Sequence, residues 1–420
     1  MESVPPSDSP QNFVLTGEAL EKALPNMSMA TKAIHADDFF SPHRAIAPAM
    51  QVSVNYRYTR SPNDLVPMDN VDPNAPNDSH IYSRYTAPNT SRFEIVLRNL
   101  FGGGGVVSFP SGLAAFHAIM VLLNPKRIFI GEGYHGVHRS IKLMSRLTNV
   151  QKLSLDDLDQ LGPGDILHIE TPLNPTGEAC NLAYYSQKAR EAGAYLTVDA
   201  TFAPPPLQNP LQFGTDIVMH SGTKYIGGHS DMLCGILVVN ETRVKEGWLE
   251  TLYQDRRTTG SVMGSLEGWL GIRSLRTLHL RVTRQSQTAE KLVAWMSQEL
   301  QDPTSLVAKL VEKVQHASLQ HEDLKDGWLR KQMPGGFGPV FSFWMKNVEH
   351  ARRLPSRLYI FQHATSLGGV ESLVEWRAMS DEGRNPKLMR VSCGVEDVED
   401  MKADLLQAFE SLQKNFLDQY

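Results

Sequence analysis

The chain has little cysteine. Its 420 residues include three, Cys180, Cys234 and Cys393, far apart and without metal-type spacing. That scarcity excludes a disulfide-stapled scaffold and fits a reducing compartment. Cys234 lies in an apolar run and reads as a small core residue. Positive charge is not in excess either. Lys and Arg number 41 against 46 Asp and Glu, a net charge of −5, and no basic segment gathers on one helix. Nothing here makes an electrostatic footprint for nucleic acid. No uninterrupted apolar run approaches the roughly 20 residues that span a bilayer. The N-terminal tip is rich in Pro and Ser and acidic rather than basic, which argues against signal and transit peptides. There is no repeat of fixed period. These absences give no sign of a nucleic-acid or membrane partner and fit a cytoplasmic location. The 41% hydrophobic and 21% charged content is ample for a large core, and the length suggests two or three structural units.

Three regions follow from the patterning. Residues 1–75 form an N-terminal arm: a disordered tip, a short helix near Gly17–Leu24 and an extended stretch. Pro73, Pro76 and Asn77 make a turn-rich link out of it. Residues 76–280 alternate strand and helix. Strands are expected at 106–109, 127–130, 166–169, 195–198, 217–219 and 235–239, with a helix over Gly112–Leu123. Short apolar runs separated by helical stretches predict an α/β fold, a mostly parallel sheet covered on both faces. Ligands of such sheets bind beyond the carboxyl ends of the strands. Residues 281–420 read as a smaller α/β domain, with helices at Ala289–Leu300 and Asp397–Leu412 and strands at 341–344 and 388–392. The glycines from 102 to 105 are not followed by Lys-Ser/Thr, so they read as a flexible turn rather than a phosphate loop.

The chemistry concentrates in one stretch. Asp199 ends the strand that starts at Tyr195, and about two dozen residues later Lys224 sits in Ser221-Gly222-Thr223-Lys224, just after another strand. A lysine at a strand end can form a Schiff base with an aldehyde while flanking hydroxyls hold a phosphate. An aspartate at a neighbouring strand end can pair with a protonated pyridine nitrogen. The set describes a site for pyridoxal 5'-phosphate (PLP). Ser111-Gly112-Leu113 opens a helix after a strand, where free N–H groups and the helix dipole suit a phosphate, although an ordinary helix start reads the same way. Taken alone, Tyr134 is equally a half-buried tyrosine, Tyr82-Ser83-Arg84 an exposed loop and Arg390 a surface salt-bridge partner.

Residues 198–238, with Asp199 and Lys224 inside them, resemble the lysine signature of the Cys/Met metabolism family of PLP enzymes, the cystathionine γ-synthase and γ-lyase group. Further matches fall in the family's order: Thr31-Lys32-Ala33-Ile34-His35, Tyr82-Ser83-Arg84-Tyr85, Ser111-Gly112-Leu113-Ala114-Ala115, Glu170-Thr171-Pro172-Leu173-Asn174-Pro175, Ser366-Leu367-Gly368-Gly369 and Arg390-Val391-Ser392. The resemblance implies PLP fold type I, the aspartate aminotransferase-like fold. It implies that Lys224 carries the cofactor, Asp199 meets its ring nitrogen and Thr201 supports Asp199 or the ring. Gly112, Leu113, Ser221 and Thr223 would hold the phosphate, with Tyr82 and Arg84 contributed by a neighbouring subunit. A homodimer is then the minimal active unit and a homotetramer the expected assembly. The same resemblance lays Tyr134 over the ring, sets Asn174 against the ring oxygen and brings Glu170, Thr365, Ser366 and Arg390 to the amino-acid substrate, Arg390 to its α-carboxylate.

The substrate shell departs from the family. Thr365 stands where cystathionine-handling members carry Glu. Gly136 stands where methionine γ-lyases carry Cys, and His135 where Gly is common. Thr86-Ala87-Pro88 replaces Gly-Asn-Pro, and Glu375-Trp376-Arg377 replaces an apolar-proline stretch. His135 is a general-base candidate near an incoming nucleophile, or a loop histidine. The expected reaction is γ-replacement on an O-acyl-L-homoserine through a vinylglycine-type intermediate. Sulfide, a small thiol or a β-keto acid carbon would be the nucleophile, the last giving a non-protein amino acid. The alternatives are a cystathionine γ- or β-lyase and a non-catalytic PLP-fold binding protein.

Overall fold

The computed structural model describes residues 16–40, 45–67, 70, 80–102, 104–381, 383 and 385–414. The tip of the arm and the link at Pro73, Pro76 and Asn77 lie outside these residues. The larger sheet has seven strands: β1 (Gly105–Phe109), β2 (Arg127–Ile130), β3 (Gln151–Leu153), β4 (Ile166–Glu170), β5 (Tyr195–Asp199), β6 (Ile217–Ser221) and β7 (Gly235–Val239). Their order is β1-β7-β6-β5-β4-β2-β3. All neighbours are parallel except β7, which runs antiparallel to β1 and β6. β1 and β7 are buried at every position and read as plain apolar runs, as strands covered on both faces should.

Parallel order brings the carboxyl ends of β4, β5 and β6 to one edge. Glu170 pairs in register with Asp199, and Asp199 with Met219, one residue short of His220-Ser221. The Gly112–Leu123 helix starts at the same edge. The second sheet has five strands: β8 (Val311–Gln315), β9 (Val340–Met345), β10 (Gln362–His363), β11 (Leu373–Trp376) and β12 (Leu388–Ser392), ordered β10-β11-β12-β9-β8.

Two readings are corrected. The helix expected at Ala289–Leu300 runs from Leu278 to Glu299 and crosses the expected boundary at 280/281. Its first half packs Leu278 and Val282 into the core of the larger sheet, and its second half packs Leu292, Val293 and Met296 into that of the smaller one. One helix serves both cores, so no break in patterning marks the boundary. Gly102 is not part of a free turn: it caps the Pro88–Phe101 helix in the left-handed region at φ 83°, where a side chain is disfavoured. Among the described residues no helix is long and apolar enough to cross a membrane.

Candidate active site

At the carboxyl edge of the larger sheet lies a cavity of about 470 Å³. Its lining brings together Gly112, Leu113, Tyr134, Glu170, Asn174, Asp199, Thr201, Ser221, Thr223, Lys224, Thr365, Ser366 and Arg390, thirteen of the fifteen residues expected there. The other two are Tyr82 and Arg84. Arg84 Nη1 donates to Arg257 O at 3.0 Å, and its guanidinium stacks over Tyr82 and Tyr85. Within one chain they stand apart from the cavity.

Lys224 occupies the turn that leaves β6. Its Nζ donates to Ser366 Oγ at 2.5 Å. Burial and the nearby Arg390 bring the ammonium pKa down to about 8, against the opposing pull of Glu375. Gly368 explains the Ser-Leu-Gly-Gly motif physically. It has φ +89°, and a Cβ there would sit 2.7 Å from the Lys224 carbonyl carbon. Only a bare backbone lets this segment lie against the lysine turn. Ser366 also has positive φ, 78°, a strained setting for a serine.

Asp199 is buried at the end of β5. Its Oδ1 accepts from the Thr201 N–H at 2.9 Å and from the Thr201 hydroxyl at 2.5 Å. Burial still pushes the carboxyl pKa up, against those two bonds. Such a carboxylate wants a cation, and a protonated ring nitrogen would supply one. Thr201 Oγ1 accepts from the Ser221 N–H at 2.8 Å, tying the two strand ends together. The Gly112–Leu123 helix meets Ser221 closely: a Cβ at Gly112 would lie 3.1 Å from Ser221 Cβ and 3.2 Å from Ser221 Oγ. That cradle of helix N–H groups and hydroxyls fits a phosphate. The donor set therefore fits PLP: a lysine, a buried carboxylate opposite and an anion cradle between them.

Glu170, expected against the substrate, accepts backbone N–H groups on both oxygens, from Asn174 at 2.7 Å and Tyr134 at 2.8 Å. Asn174 Oδ1 in turn accepts from Arg390 Nη1 at 3.0 Å. A Cβ at Gly136 would lie 2.5 Å from the Tyr134 ring, so a side chain there would require that ring to shift from this placement.

Arg390 lies on β12 directly opposite Glu375 on β11. Its Nη2 donates to Glu375 Oε2 at 2.5 Å and to Ser366 O at 2.8 Å. Burial lowers its pKa to about 10, which leaves it a cation. Glu375 also accepts from Arg377 Nη1 at 2.7 Å and from Ser380 Oγ at 2.7 Å. Burial alone would raise the Glu375 pKa, but Arg390, Ser380 and Arg377 outweigh it and hold it low. Arg377 bonds Asp381, whose Oδ1 meets His135 Nδ1 at 2.8 Å. Arg377, Ser380 and His135 all line the cavity. The reading of the sequence missed Ser380 and Asp381. They sit in a short loop with no strand or cap signal, and 246 positions separate Asp381 from His135. It also missed Phe202 and Leu233, apolar lining residues, of which Leu233 carried the one usable signal as a member of the apolar run Met232-Leu233-Cys234.

This fold and this donor set define a fold-type-I PLP enzyme. Residues 30–410 match the family described as Cys/Met metabolism PLP-dependent enzyme, and the chain belongs to that family. It is 30% identical to the cystathionine γ-lyase of Saccharomyces cerevisiae over 90% of this chain and 96% of that protein. It is 31% identical to a cystathionine β-lyase of Lactococcus lactis, over 78% of this chain and 88% of that one. Its structure is similar to that of a cystathionine γ-synthase from Xanthomonas oryzae pv. oryzae solved with aminoacrylate and cysteine, with TM-score 0.79, 25% identity and coverage of 93% of this chain and all of the other. These proteins run different reactions on one scaffold, so similarity gives the cofactor and leaves the reaction to the residues around it.

Proposed function

We propose that the chain catalyses γ-replacement on an O-acyl-L-homoserine with a nucleophile that carries no ammonium group: sulfide, a small thiol or the carbon of a β-keto acid, the last giving a non-protein amino acid. The observation that carries this reading is Thr365. It lines the cavity beside Ser366, at the position where the family resemblance leads one to expect an acid in cystathionine-handling members. Of the expected cofactor residues, all but Tyr82 and Arg84 line the cavity. Lys224 would hold the aldehyde carbon, with Gly112, Leu113, Ser221 and Thr223 on the phosphate, Asp199 on the ring nitrogen, Asn174 on the ring oxygen and Tyr134 against the ring face. Tyr82 and Arg84 would reach the phosphate of a neighbouring subunit's site.

When bound, the cofactor supplies an electron sink for charge that develops at the substrate's Cα. Arg390 orients the α-carboxylate through a planar fork, steadied by Glu375 and Asn174. Lys224, with its pKa near 8, is poised to take and return protons at Cα and Cβ. Glu170 positions the backbone on either side of it through Tyr134 and Asn174.

Thr365→Glu is the test. A carboxylate there would give the ammonium of cysteine a charge-assisted hydrogen bond, worth roughly 10–100-fold in selection. With O-acetylhomoserine and cysteine supplied, Thr365→Glu is expected to raise the yield of cystathionine by that factor. An unchanged yield would remove Thr365 as the selector.

A further inference from the structure

His135 opens the His135–Thr148 helix immediately after Tyr134, and the two rings pack at a tilt of 49° with centroids 4.8 Å apart. It lines the inner cavity, and it also lines a more open cavity of about 840 Å³ that shares Ser380 with the first. The imidazole therefore stands where the two cavities border each other. Its Nδ1 lies 2.8 Å from Asp381 Oδ1; the His135 side chain is 36% exposed and that of Asp381 is 7% exposed. Burial alone would raise the Asp381 pKa, but Arg377 outweighs it and keeps the carboxyl ionised. An ionised carboxylate only accepts, so Nδ1 carries a proton, and the tautomer held this way has its lone pair at Nε2. A base oriented by a buried carboxylate is the arrangement that activates nucleophiles in unrelated enzymes.

We propose that His135 is a second acid–base residue of this enzyme, which takes the proton from the incoming nucleophile through Nε2 while Asp381 fixes the ring. The nucleophile is then one that arrives protonated, a carbon acid or a thiol. The inference rests on the γ-replacement reading above. That reaction creates the need for it: Lys224 handles the protons at Cα and Cβ of the amino substrate and must return them, so the nucleophile's proton requires another acceptor. Elimination adds no nucleophile at Cγ and needs no such base. In the step, the C–H or S–H bond of the nucleophile breaks and its electron pair stays on carbon or sulfur. The proton goes to Nε2, and the pair forms the bond to Cγ, from which the acyl oxygen has already left with the pair of its own bond. The proton passes on to water, one carboxylate is released per bond formed, and nothing is oxidised or reduced. Arg377, which bonds both Glu375 and Asp381, links the fork that seats the α-carboxylate to the base.

The test reads a ratio. Holoenzyme is given O-acetylhomoserine with acetoacetate, and the replacement product and 2-oxobutyrate are quantified by mass spectrometry for the parent, His135→Asn, His135→Gln and Asp381→Asn. Loss of a general base is expected to lower the ratio of replacement product to 2-oxobutyrate by roughly 10²-fold in the His135 variants and at least about tenfold in Asp381→Asn. With sulfide at alkaline pH, where the nucleophile is already ionised, the ratio should fall by less than about threefold. If both products fall together and the ratio holds, His135 and Asp381 only support the fold and the proposal is overturned. Release of no acetate by the parent, with any nucleophile, would instead remove the γ-replacement reading and this proposal with it.

Discussion

A lysine that condenses with an aldehyde must first be neutral, and burial beside Arg390 makes Lys224 easier to deprotonate than a free lysine. With a pKa of about 8, its Nζ is mostly protonated below that value and free to attack above it. Apoenzyme should therefore take up PLP faster as pH rises through about 8, then level off, as stopped-flow absorbance can follow. A rate indifferent to pH across that range would mean the amine is not desolvated as described. Asp199 works in the opposite direction. Its burial is unfavourable until a cation arrives, so in the proposed role it would stabilise a protonated ring nitrogen. Asp199→Ala is expected to lower turnover by at least about 10²-fold, the scale of losing one preorganised electrostatic group. Steady-state rates near those of the parent would refute that role. Both residues were legible in the sequence because each follows a short apolar strand, where an open α/β sheet puts its ligands. Asp381 was not legible, since nothing local in Met379-Ser380-Asp381 points to a histidine that is distant in the chain.

The eight strands that were read lie close to their observed bounds, because a strand buried on both faces is a bare apolar run, whereas the short or more polar β3, β8, β10 and β11 were not read. The Pro88–Phe101 and His135–Thr148 helices were not read. The second buries Val137, Ile141 and Met144 at helical spacing, but a glycine at 136 and charged residues between them obscure the stripe. The β11–β12 pair supplies what neither strand announces alone. It sets Glu375 across from Arg390, and the residue two places on, Arg377, carries the pairing out to the loop. Glu375, Arg377 and Asp381 have side chains 3%, 4% and 7% exposed, so the cost of breaking the network falls on buried charge. Arg377→Met, which removes the guanidinium that joins Glu375 to Asp381, should cost about 3–5 kcal/mol, read from denaturant midpoints of the holoenzyme. A loss under about 0.5 kcal/mol would place the network with ordinary surface pairs.

At the scale of the whole molecule, two of the residues expected at the cofactor lie outside the cavity of their own chain. Tyr82 and Arg84 are held away from the cavity, and the arm before them exposes Ile46, Val52 and Tyr58. We propose that a second copy covers this arm and receives the arginine. Mixed Arg84→Ala and Lys224→Ala subunits, each inactive alone, should then recover activity, because a hybrid dimer contains one intact site. Exchange of subunits without recovery would mean that each site is built from one chain. The account's central claim is the choice of nucleophile. It is tested most directly by supplying the holoenzyme with O-acetylhomoserine and an equimolar mixture of cysteine, sulfide, a small thiol and acetoacetate, then weighing the products by mass. The account predicts that the main product carries sulfide, the thiol or the keto-acid carbon at Cγ; cystathionine as the fastest-formed product would contradict it.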